Sequence, residues 1–465
     1  MTRRADTRRG TELVLLIFAA AITTSALVLV EANQEQALTM QVVYYGLAYL
    51  ALFAVAHLAV RRWAPYADPV ILPSVALLNG LGLVMIHRID LAEQEKTGGQ
   101  WSNAAPKQVL WTAIALVLFV VVLRFVNDHR TLARYSYTCG LVGLGALVLP
   151  GLLPGSLSSV NGAKVWLKLG IFSIQPGEFA KILLMIFFAA FLVSKRDLFM
   201  TAGRKFLGLE LPRLRDLGPL VFALAAAIGV LVLEKDLGNS LLLFGIVLVL
   251  LYVATERFAW VVVGLIPFIG ACVLSYKLFA HVQERVSNWL NPFVDPSGTG
   301  YQMVQSLFGL GTGGVFGTGL GAGRPDIVPE ANSDFIISSI GEELGWVGVA
   351  ALLLIYLVLV MRGLRAAVAV RDTFGKLLGG ALAFSVGWQV FVVVGGVTKL
   401  IPETGLTTPF MSAGGSSLVA NYILVGLLLR ISDAARRPRD GGSRPRPAPM
   451  PPIAEANTIM VERPQ

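Results

Sequence analysis

The sequence predicts an all-α fold, a polytopic membrane helix bundle of about twelve transmembrane helices. Hydrophobic residues make up 55% of the 465 residues and charged residues only 14%, a balance that a soluble domain of this length does not tolerate. Apolar stretches of about 18 or more residues, long enough to cross a bilayer, recur along the chain. They are 12–31, 40–60, 69–87, 108–126, 135–153, 177–194, 216–233, 237–255, 258–280, 335–361, 376–398 and 408–430.

The basic residues decide the predicted orientation. The chain carries 38 Lys and Arg against 29 Asp and Glu, and the basic residues concentrate at the amino terminus and in alternate connections between helices. Because Lys and Arg favour the cytoplasmic side, both termini are predicted to be cytoplasmic, with the chain in the cell (cytoplasmic) membrane. The net charge of +9 therefore indicates orientation in a membrane and no nucleic-acid partner.

The carboxyl-terminal residues and the cysteines add two expectations. The segment 431–465 is rich in Pro, Arg and Gly and cannot bury a core, so it is predicted to be a disordered cytoplasmic tail near anionic lipid headgroups. Cys139 and Cys272 both lie in apolar runs and are predicted to be small buried hydrophobes. Two such residues provide neither a disulfide framework nor a Cys-based metal site.

A long connection, 281–334, lies on the predicted outer face. It contains NPFVDPSGTGYQMVQSLFGLGTGG, in which glycines surround one carboxylate, Asp295. Local sequence alone favours Asp295 as a turn former in an Asp-Pro pair. The glycines in 309–323 are followed by no Gly-Lys-Ser/Thr and preceded by no strand, so they do not predict a nucleotide site. They favour short half-helices that turn back against other helices.

A second outer connection, 154–176, places cations beside an aromatic residue. Lys164 and Lys168 flank Trp166, an arrangement that suits a lipid-linked phosphate. The alternative, which composition alone favours, is an aromatic belt residue with ordinary flanking lysines.

The helix after that connection carries two charges one turn inside the membrane. Pro176 is predicted to open this helix at its first position. Glu178 and Lys181 are three residues apart, so they share a face. Because ionised groups are expensive inside a bilayer, the two are predicted to face an interior cavity, as a structural ion pair or as residues that line a site.

Three further features point to polar positions in the bundle. VTKLIPETGLTTPFMSAGGSSL, 397–418, interrupts the entry to the last helix, which marks either a binding cavity or packing through small residues. Asp236 is predicted to cap the helix that follows it. Of Glu342 and Glu343, at least one is predicted to face a polar partner.

Five motifs together resemble the SEDS family of shape, elongation, division and sporulation proteins, and within it the actinobacterial RodA-type members. They follow the family's order and span residues 69 to 430. They are NGAKVWLKLGIFSIQPGEFAKI, EKDLGNSLLL, NPFVDPSGTGYQMVQSLFGLGTGGVFGTGLG, SDFIISSIGEELGWVG and LIPETGLTTPFMSAGGSSL.

The resemblance implies a peptidoglycan glycosyltransferase that polymerises lipid II at the outer face of the cytoplasmic membrane, for cell elongation and shape, although the division branch shares these motifs. It implies a class B penicillin-binding protein as transpeptidase partner. By the same resemblance Asp295 is the essential carboxylate, Glu178 and Lys181 are the family's paired Glu and Lys, and Lys164 with Trp166 is its basic-Trp element.

The family core usually has ten helices, which implies a core at 69–430, an amino-terminal part at 1–68 with two additional helices, and the tail at 431–465. Two motifs depart from the family's pattern. EKDLG replaces the usual QPDLG, so no role carries over to the neighbours of Asp236. SAGGSS replaces the more usual SYGGSS, which removes an aromatic hydroxyl near Ser412.

The implied reaction inverts the anomeric centre, since the family's donor is an α-linked sugar on undecaprenyl pyrophosphate and its product is β-1,4-linked. Such a transfer needs a base at the acceptor hydroxyl and a stabiliser for the departing diphosphate. Asp295 is the predicted base, with Lys164, Lys181 or Arg285 as the stabilising cations. The remaining predicted substrate contacts, taken from the matched motifs, are Trp166, Glu178, Gln302 and Ser416.

No organic cofactor is implied and no dedicated metal cage is visible, although Mg²⁺ or another divalent cation suits a lone Asp together with diphosphate oxygens. Two other functions stay open at this stage. One is a lipid II flippase, which shares the substrate and the membrane. The other is a non-catalytic scaffold for a penicillin-binding protein.

Overall fold

The structure, a computed structural model, describes nine stretches of the chain. They are 7–34, 40–99, 102–160, 163–170, 172–196, 204–206, 209–211, 214–233 and 236–438. The helices in these stretches are α1 (Arg9–Asn33), α2 (Met40–Trp63), α3 (Ile71–Thr97), α4 (Ala105–Phe125), α5 (Arg130–Arg134), α6 (Ser136–Leu152), α7 (Gly155–Ser158), α8 (Pro176–Ser194), α9 (Leu214–Leu233), α10 (Leu237–Thr255), α11 (Ala259–Leu278), α12 (Ala280–Leu290), α13 (Tyr301–Gly313), α14 (Ile336–Ala369), α15 (Thr373–Val397) and α16 (Gly415–Arg436).

Short hairpins and 3₁₀ turns join these helices. The strands pair antiparallel as β1 (Ser159–Val160) with β2 (Ala163–Lys164), β3 (Leu167–Leu169) with β4 (Phe172–Ile174), and β5 (Arg204–Phe206) with β6 (Leu209–Leu211). The 3₁₀ turns are Pro292–Val294 and Pro325–Ile327.

The predicted all-α membrane fold is confirmed, because each of the twelve predicted apolar stretches coincides with a helix. Within the described residues ten helices are long and apolar enough to cross a membrane. The other two stretches fall on shorter apolar helices, α6 and the part of α9 from Val221 to Val230. The chain is therefore a multi-pass membrane protein.

The last helix, α16, differs most from its predicted bounds. It begins at Gly415 rather than at 408, because Pro409 and the glycines before 415 hold the preceding segment in turns. It continues past 430 to Arg436, since the buried carboxylate of Asp433 accepts a hydrogen bond of 2.8 Å from the backbone nitrogen of Tyr66. The first residues of the predicted tail thus belong to this helix, and 439–465 lie outside the described residues.

The prediction that both cysteines are buried is wrong for Cys272. This residue is exposed on α11, whose most apolar 18-residue window has no buried position. That helix stands at the edge of the bundle and turns the side chain towards the surrounding membrane. Cys139 is half-buried on α6.

The two amino-terminal helices pack on the remaining bundle, α1 along α3 and α2 along α4. Near the start of α1 the fully buried Glu12 pairs with Arg9 and with His57 of α2, the latter at 2.8 Å. At the far end the side-chain amide of Asn33 donates a hydrogen bond to the carbonyl of Leu320. Helix α1 is thus fastened at both faces of the bundle.

The prediction that at least one of two acidic residues in α14 faces a polar partner is confirmed. Glu343 accepts a hydrogen bond of 2.9 Å from Nε of Arg88 in α3. Glu342 accepts one of 2.7 Å from the backbone nitrogen of Arg324. Both carboxylates are buried in the protein, as the cost of a charge in a lipid environment requires.

Glycines at the end of α13 and just after it allow this segment to pack with its backbone in direct contact with that of α14. A Cβ at Gly313 would lie 1.9 Å from the carbonyl oxygen of Gly341, and one at Gly317 would lie 2.2 Å from that of Glu343. On the α14 side Gly345 has a φ of 66°, and a Cβ there would lie 2.3 Å from the nitrogen of Gly317. The segment 313–317 can therefore pack closely against α14 at Gly345 only with glycine at these positions.

We expect Gly345→Ala to lower the thermal unfolding temperature of the purified protein in detergent. A backbone with φ of 66° and ψ of −173° is accessible essentially to glycine alone and costs an alanine about 1–3 kcal/mol, and the backbone overlap adds to that cost. The matched control is Gly311→Ala, a helical glycine whose Cβ would meet no atom within 4 Å. That change should be neutral or stabilise by about 0.5–1 kcal/mol. Equal unfolding temperatures for the two variants would contradict the close-packing argument.

Candidate active site

Asp295 projects from a tight turn between the 3₁₀ turn at 292–294 and α13. Its carbonyl oxygen accepts hydrogen bonds from the backbone nitrogens of Gly298 and Gly300 at 3.3 and 3.1 Å. Its carboxylate oxygen Oδ2 accepts one of 2.9 Å from the nitrogen of Thr299. The carboxylate is exposed, and within the described residues Oδ1 accepts no hydrogen bond.

The glycines of this turn are required by its shape. A Cβ at Gly298 would lie 2.2 Å from Oδ2 of Asp295, and one at Gly300 would lie 2.2 Å from the carbonyl oxygen of Pro292. The predicted turn-forming role of Asp295 is therefore real, because Oδ2 closes the turn. The same turn leaves Oδ1 free to meet a ligand.

Helix α12 connects this turn to the interrupted entry of the last helix. Asn288 donates a hydrogen bond of 2.8 Å to the carbonyl of Thr299. One turn earlier, Arg285 donates to the carbonyl of Glu403 at 3.3 Å. Trp289 adds a third bond, from its indole nitrogen to the carbonyl of Lys399 at 3.2 Å. The helix thus holds the Asp295 turn and the segment 398–414 in a fixed relation.

Arg285 is also the cation near two half-buried acids, Asp236 and Asp334. Asp236 caps α10 as predicted, by accepting a hydrogen bond of 3.0 Å from the nitrogen of Asn239. Burial raises the pKa of Asp236, and the bonds from Asn239 and the charge of Arg285 oppose that rise. Arg285 likewise opposes the rise in the pKa of Asp334. A cation at this position therefore offsets the negative charge of carboxylates on two different segments.

Asp334 is a site residue that the sequence reasoning missed. It lies two residues before the start of α14, and its Oδ1 is buried without a hydrogen-bond partner among the described residues. Burial, followed by the negative charge of Glu403, raises the pKa of Asp334 to about 8. A carboxyl group of this kind carries its proton at neutral pH, so that it can donate a hydrogen bond.

We expect this group to make stability depend on pH. The folded protein keeps the Asp334 proton up to about pH 8, whereas an unfolded chain releases it near pH 4. Its contribution to stability is therefore complete below pH 4 and is lost as the pH rises through about 8. Unfolding temperatures at pH 5, 7 and 9 should fall less steeply in Asp334→Asn than in the unchanged protein. Parallel curves, like those expected for the exposed-site control Glu284→Gln, would refute the assignment.

Glu178 and Lys181 form the ion pair that their spacing predicts, with 2.6 Å between Nζ and Oε2, and both are buried. Lys181 also donates to the side-chain oxygen of Gln389 in α15 at 3.2 Å. Gln389 in turn donates to the carbonyl of Thr407 at 2.8 Å. Pro176 opens α8 in its first turn as predicted. The pair therefore faces protein, and a polar chain leads from it to the segment 398–414.

Ser416 joins the start of α16 to the start of α8. Its hydroxyl oxygen accepts a hydrogen bond of 2.9 Å from the backbone nitrogen of Gln175. Beside it, the hydroxyl of Thr407 donates to that of Ser417 at 2.8 Å. The interrupted segment is thus held by hydroxyl contacts on the face that carries the ion pair.

Gln302, Lys164 and Trp166 are more loosely connected to this cluster. Gln302 lies on the first turn of α13 and donates to the carbonyl of Pro329 at 3.1 Å. Lys164 is exposed on β2, and the backbone nitrogen of Trp166 donates to the carbonyl of Ser158 at 3.3 Å. Within the described part of the chain neither Lys164 nor Trp166 contacts the other predicted site residues through a hydrogen bond or ion pair. The structure therefore joins five of the eight predicted residues, namely Asp295, Arg285, Glu178, Lys181 and Ser416, into two linked groups.

The described residues contain no group of three or more His, Cys, Asp or Glu side chains placed to hold a metal ion. What this face does offer is the exposed carboxylate of Asp295 on a hydrogen-bonded turn, the carboxyl group of Asp334 and the guanidinium of Arg285. Such a set can accept a proton and stabilise an anionic leaving group.

Comparisons with known proteins place this architecture. The family model for FtsW, RodA and SpoVE, described as cell cycle protein, matches residues 69–437. The peptidoglycan glycosyltransferase RodA of Mycobacterium tuberculosis is 57% identical over 463 residues, which covers 100% of this chain and 98% of that protein. The stage V sporulation protein E of Bacillus subtilis is 33% identical over 367 residues, 77% of this chain and 95% of that protein.

Two solved structures share the fold. A structure described as the structural coordination of polymerization and crosslinking by a peptidoglycan synthase complex contains a chain that is 25% identical, with a TM-score of 0.62 and coverage of 80% of this chain and 99% of that one. The rod shape determining protein RodA of Thermus thermophilus is 25% identical, with a TM-score of 0.53 and coverage of 80% and 98%. With the family model and full-length relatives in agreement, this chain is a member of the FtsW, RodA and SpoVE family.

Proposed function

We propose that this protein is a peptidoglycan glycosyltransferase that polymerises lipid II into glycan strands at the outer face of the cytoplasmic membrane, for cell elongation and shape. The observation that carries the proposal is the exposed Asp295 carboxylate, presented by a glycine-dependent turn that α12 links to the segment 398–414 through Asn288 and Arg285. The mycobacterial relatives, which match over the full length of this chain, bear the name peptidoglycan glycosyltransferase.

In the proposed mechanism Asp295 acts as the general base. Its Oδ1 takes the proton from the 4-hydroxyl of the acceptor sugar, and the hydroxyl oxygen forms a bond to the anomeric carbon of the donor. The bond from that carbon to the diphosphate oxygen breaks, and the diphosphate leaves with the electron pair. A single displacement of this kind inverts the anomeric centre and needs only one basic carboxylate.

The cations have different proposed roles in binding the leaving diphosphate. Lys181 shares its charge with Glu178 in the interior, and Arg285 lies among acids, so both also have structural duties. Lys164 is exposed and makes no ion pair within the described residues, which leaves its charge available to a diphosphate. We assign Lys164 and Trp166 to the first contact with the diphosphate, and Lys181 and Arg285 to the charge that develops on it.

The proposed orientation has both termini in the cytoplasm. The site segments, namely the Asp295 turn, the entry to α8 and the segment before α16, all lie at one end of the bundle, where Asn33 also ends α1. Arg9, Arg61 and Arg430 lie at the other end, and the positive-inside rule assigns that end to the cytoplasm.

A class B penicillin-binding protein is the proposed partner, because a structurally similar chain comes from a complex that coordinates polymerization and crosslinking. A divalent cation such as Mg²⁺ would take its ligands mainly from the substrate diphosphate oxygens, because this mechanism uses Asp295 as the base at the acceptor hydroxyl. The ion would then neutralise charge on the leaving group.

The test is direct. The purified protein, with a class B penicillin-binding protein and lipid II in detergent, should produce glycan polymer that is visible on a gel. Transfer of lipid II between the leaflets of a vesicle without polymer would instead identify a flippase. Unchanged polymerisation by the partner alone would identify a scaffold.

A further inference from the structure

The end of the bundle opposite Asp295 contains a cavity that the proposed reaction does not use. It lies between the first turns of α1 and the last turns of α2 and has a volume of about 500 Å³. Both helices precede residues 69–437, the part that the family model matches. The cavity is lined by Thr7, Arg9, Gly10, Leu13, His57, Arg61 and Pro65.

One wall of this cavity is fixed by a buried acid. Glu12 is fully buried and pairs with Arg9 and with Nδ1 of His57. Arg9, only 6% exposed, also donates to the carbonyl of Ala67. The positions of Arg9 and His57 are therefore set before any ligand arrives, and Glu12 offsets one of the positive charges.

The lining of the cavity also includes an uncompensated cation. Arg61 follows His57 by one helical turn, so the two side chains share a face of α2. Arg61 is exposed and makes no ion pair within the residues that the structure describes. The cavity therefore has an excess of positive charge, which favours an anion.

The cavity also opens towards the apolar surface of the bundle. Leu13 lines it and is 45% exposed, and Ile17, one turn further into the membrane on α1, is 58% exposed. A free anion would gain no binding free energy from contact with these exposed apolar side chains. A ligand with an anionic head and an apolar chain matches both parts.

We propose that this cavity binds the phosphate headgroup of an anionic phospholipid, with Arg61 in contact with the phosphate and an acyl chain along Leu13 and Ile17. Charge-assisted hydrogen bonds from guanidinium to phosphate are among the stronger polar contacts. Basic pockets between transmembrane helices on the cytoplasmic side suit anionic headgroups. Bound lipid would tie α1 to α2 at the end where Glu12 already joins them.

The test measures binding of phosphatidylglycerol to the purified full chain in detergent by native mass spectrometry. We expect Arg61→Gln to weaken binding about tenfold or more, as loss of a charged hydrogen bond does. Arg62→Gln is the matched control, because Arg62 is the next residue, is also exposed and does not line the cavity. It should bind like the unchanged protein.

A second variant separates the cavity from general surface charge. A Cβ at Gly10 would meet no atom within 4 Å, so Gly10→Leu fills the cavity without removing a cation. It should weaken binding as well, and it carries the test if Arg61→Gln does not fold, which the unfolding temperature without lipid reports.

Three results would overturn the proposal. Equal weakening by Arg61→Gln and Arg62→Gln would indicate unspecific attraction. Equally tight binding of phosphatidylcholine would remove the need for an anion. Displacement of phosphatidylglycerol by millimolar inorganic phosphate would identify a phosphate site and not a lipid site. All arms are measured without lipid II, so they do not depend on the proposed reaction.

Discussion

Replacing Asp295 by asparagine should lower the rate of glycan polymerisation from lipid II by about 10²- to 10⁴-fold, the usual contribution of a general base. The amide keeps an oxygen that can accept the hydrogen bond from the nitrogen of Thr299, so the turn should survive. It cannot take a proton from the acceptor hydroxyl. The measurement is polymer formed per unit time by the purified complex, beside the unfolding temperature of the variant.

The matched control is Glu284→Gln. Glu284 is an exposed carboxylate on α12, the helix that holds the Asp295 turn, and it accepts no hydrogen bond within the described residues. Polymerisation should continue at the unchanged rate in this variant. Full activity in Asp295→Asn, with normal folding, would show that the base is another group.

The elements of the fold were predictable because the signal for a membrane helix is local. A run of apolar residues long enough to cross the bilayer must be helical, since lipid offers no partner for backbone polar groups. The start of α16 escaped this rule, because Pro409 and the glycines before 415 interrupt an apolar run without changing its hydropathy. The bonds of Asp433 extend its other end, and they depend on contact with a distant segment.

The candidate site was predictable only where its members are close in sequence. The pair of Glu178 and Lys181 follows from helical spacing. The partner of Lys181, Gln389, lies 208 positions away and is joined only by packing of α8 on α15. A polar side chain in the middle of the apolar α15 was the available signal for Gln389. Asp334 had none, because its raised pKa comes from burial and from Glu403.

The two amino-terminal helices contact the rest of the bundle through residues that no sequence pattern predicts. They precede the residues that the family model matches, yet α1 packs along α3 of the core. Asn33 bonds to Leu320 in the segment that follows α13, and Arg9 bonds to the carbonyl of Ala67 at the opposite face. Helix α13 itself begins next to the Asp295 turn. The additional helices thus contact, through Asn33, the segment that follows α13.

Lys181→Met should destabilise the protein by about 3–5 kcal/mol, the usual cost of removing one partner of a buried ion pair. The carboxylate of Glu178 is only 3% exposed and would lose its cation at 2.6 Å. Lys96→Met is the matched control, since Lys96 pairs with Glu93 at the same helical spacing but is 54% exposed, with 3.5 Å between the charges. It should cost less than about 1 kcal/mol. Unfolding in detergent measures both changes.

The double variant Glu178→Gln with Lys181→Met distinguishes the structural role of the ion pair from a role of Lys181 in the reaction. With both charges removed no uncompensated carboxylate stays buried, so most of the lost stability should return. A purely structural pair would then recover polymerisation together with stability. If Lys181 stabilises the departing diphosphate, the refolded double variant stays slow, because the cation that meets the developing charge is still missing. Stability regained without activity is the result expected here, and joint recovery of both would reduce the pair to a structural element.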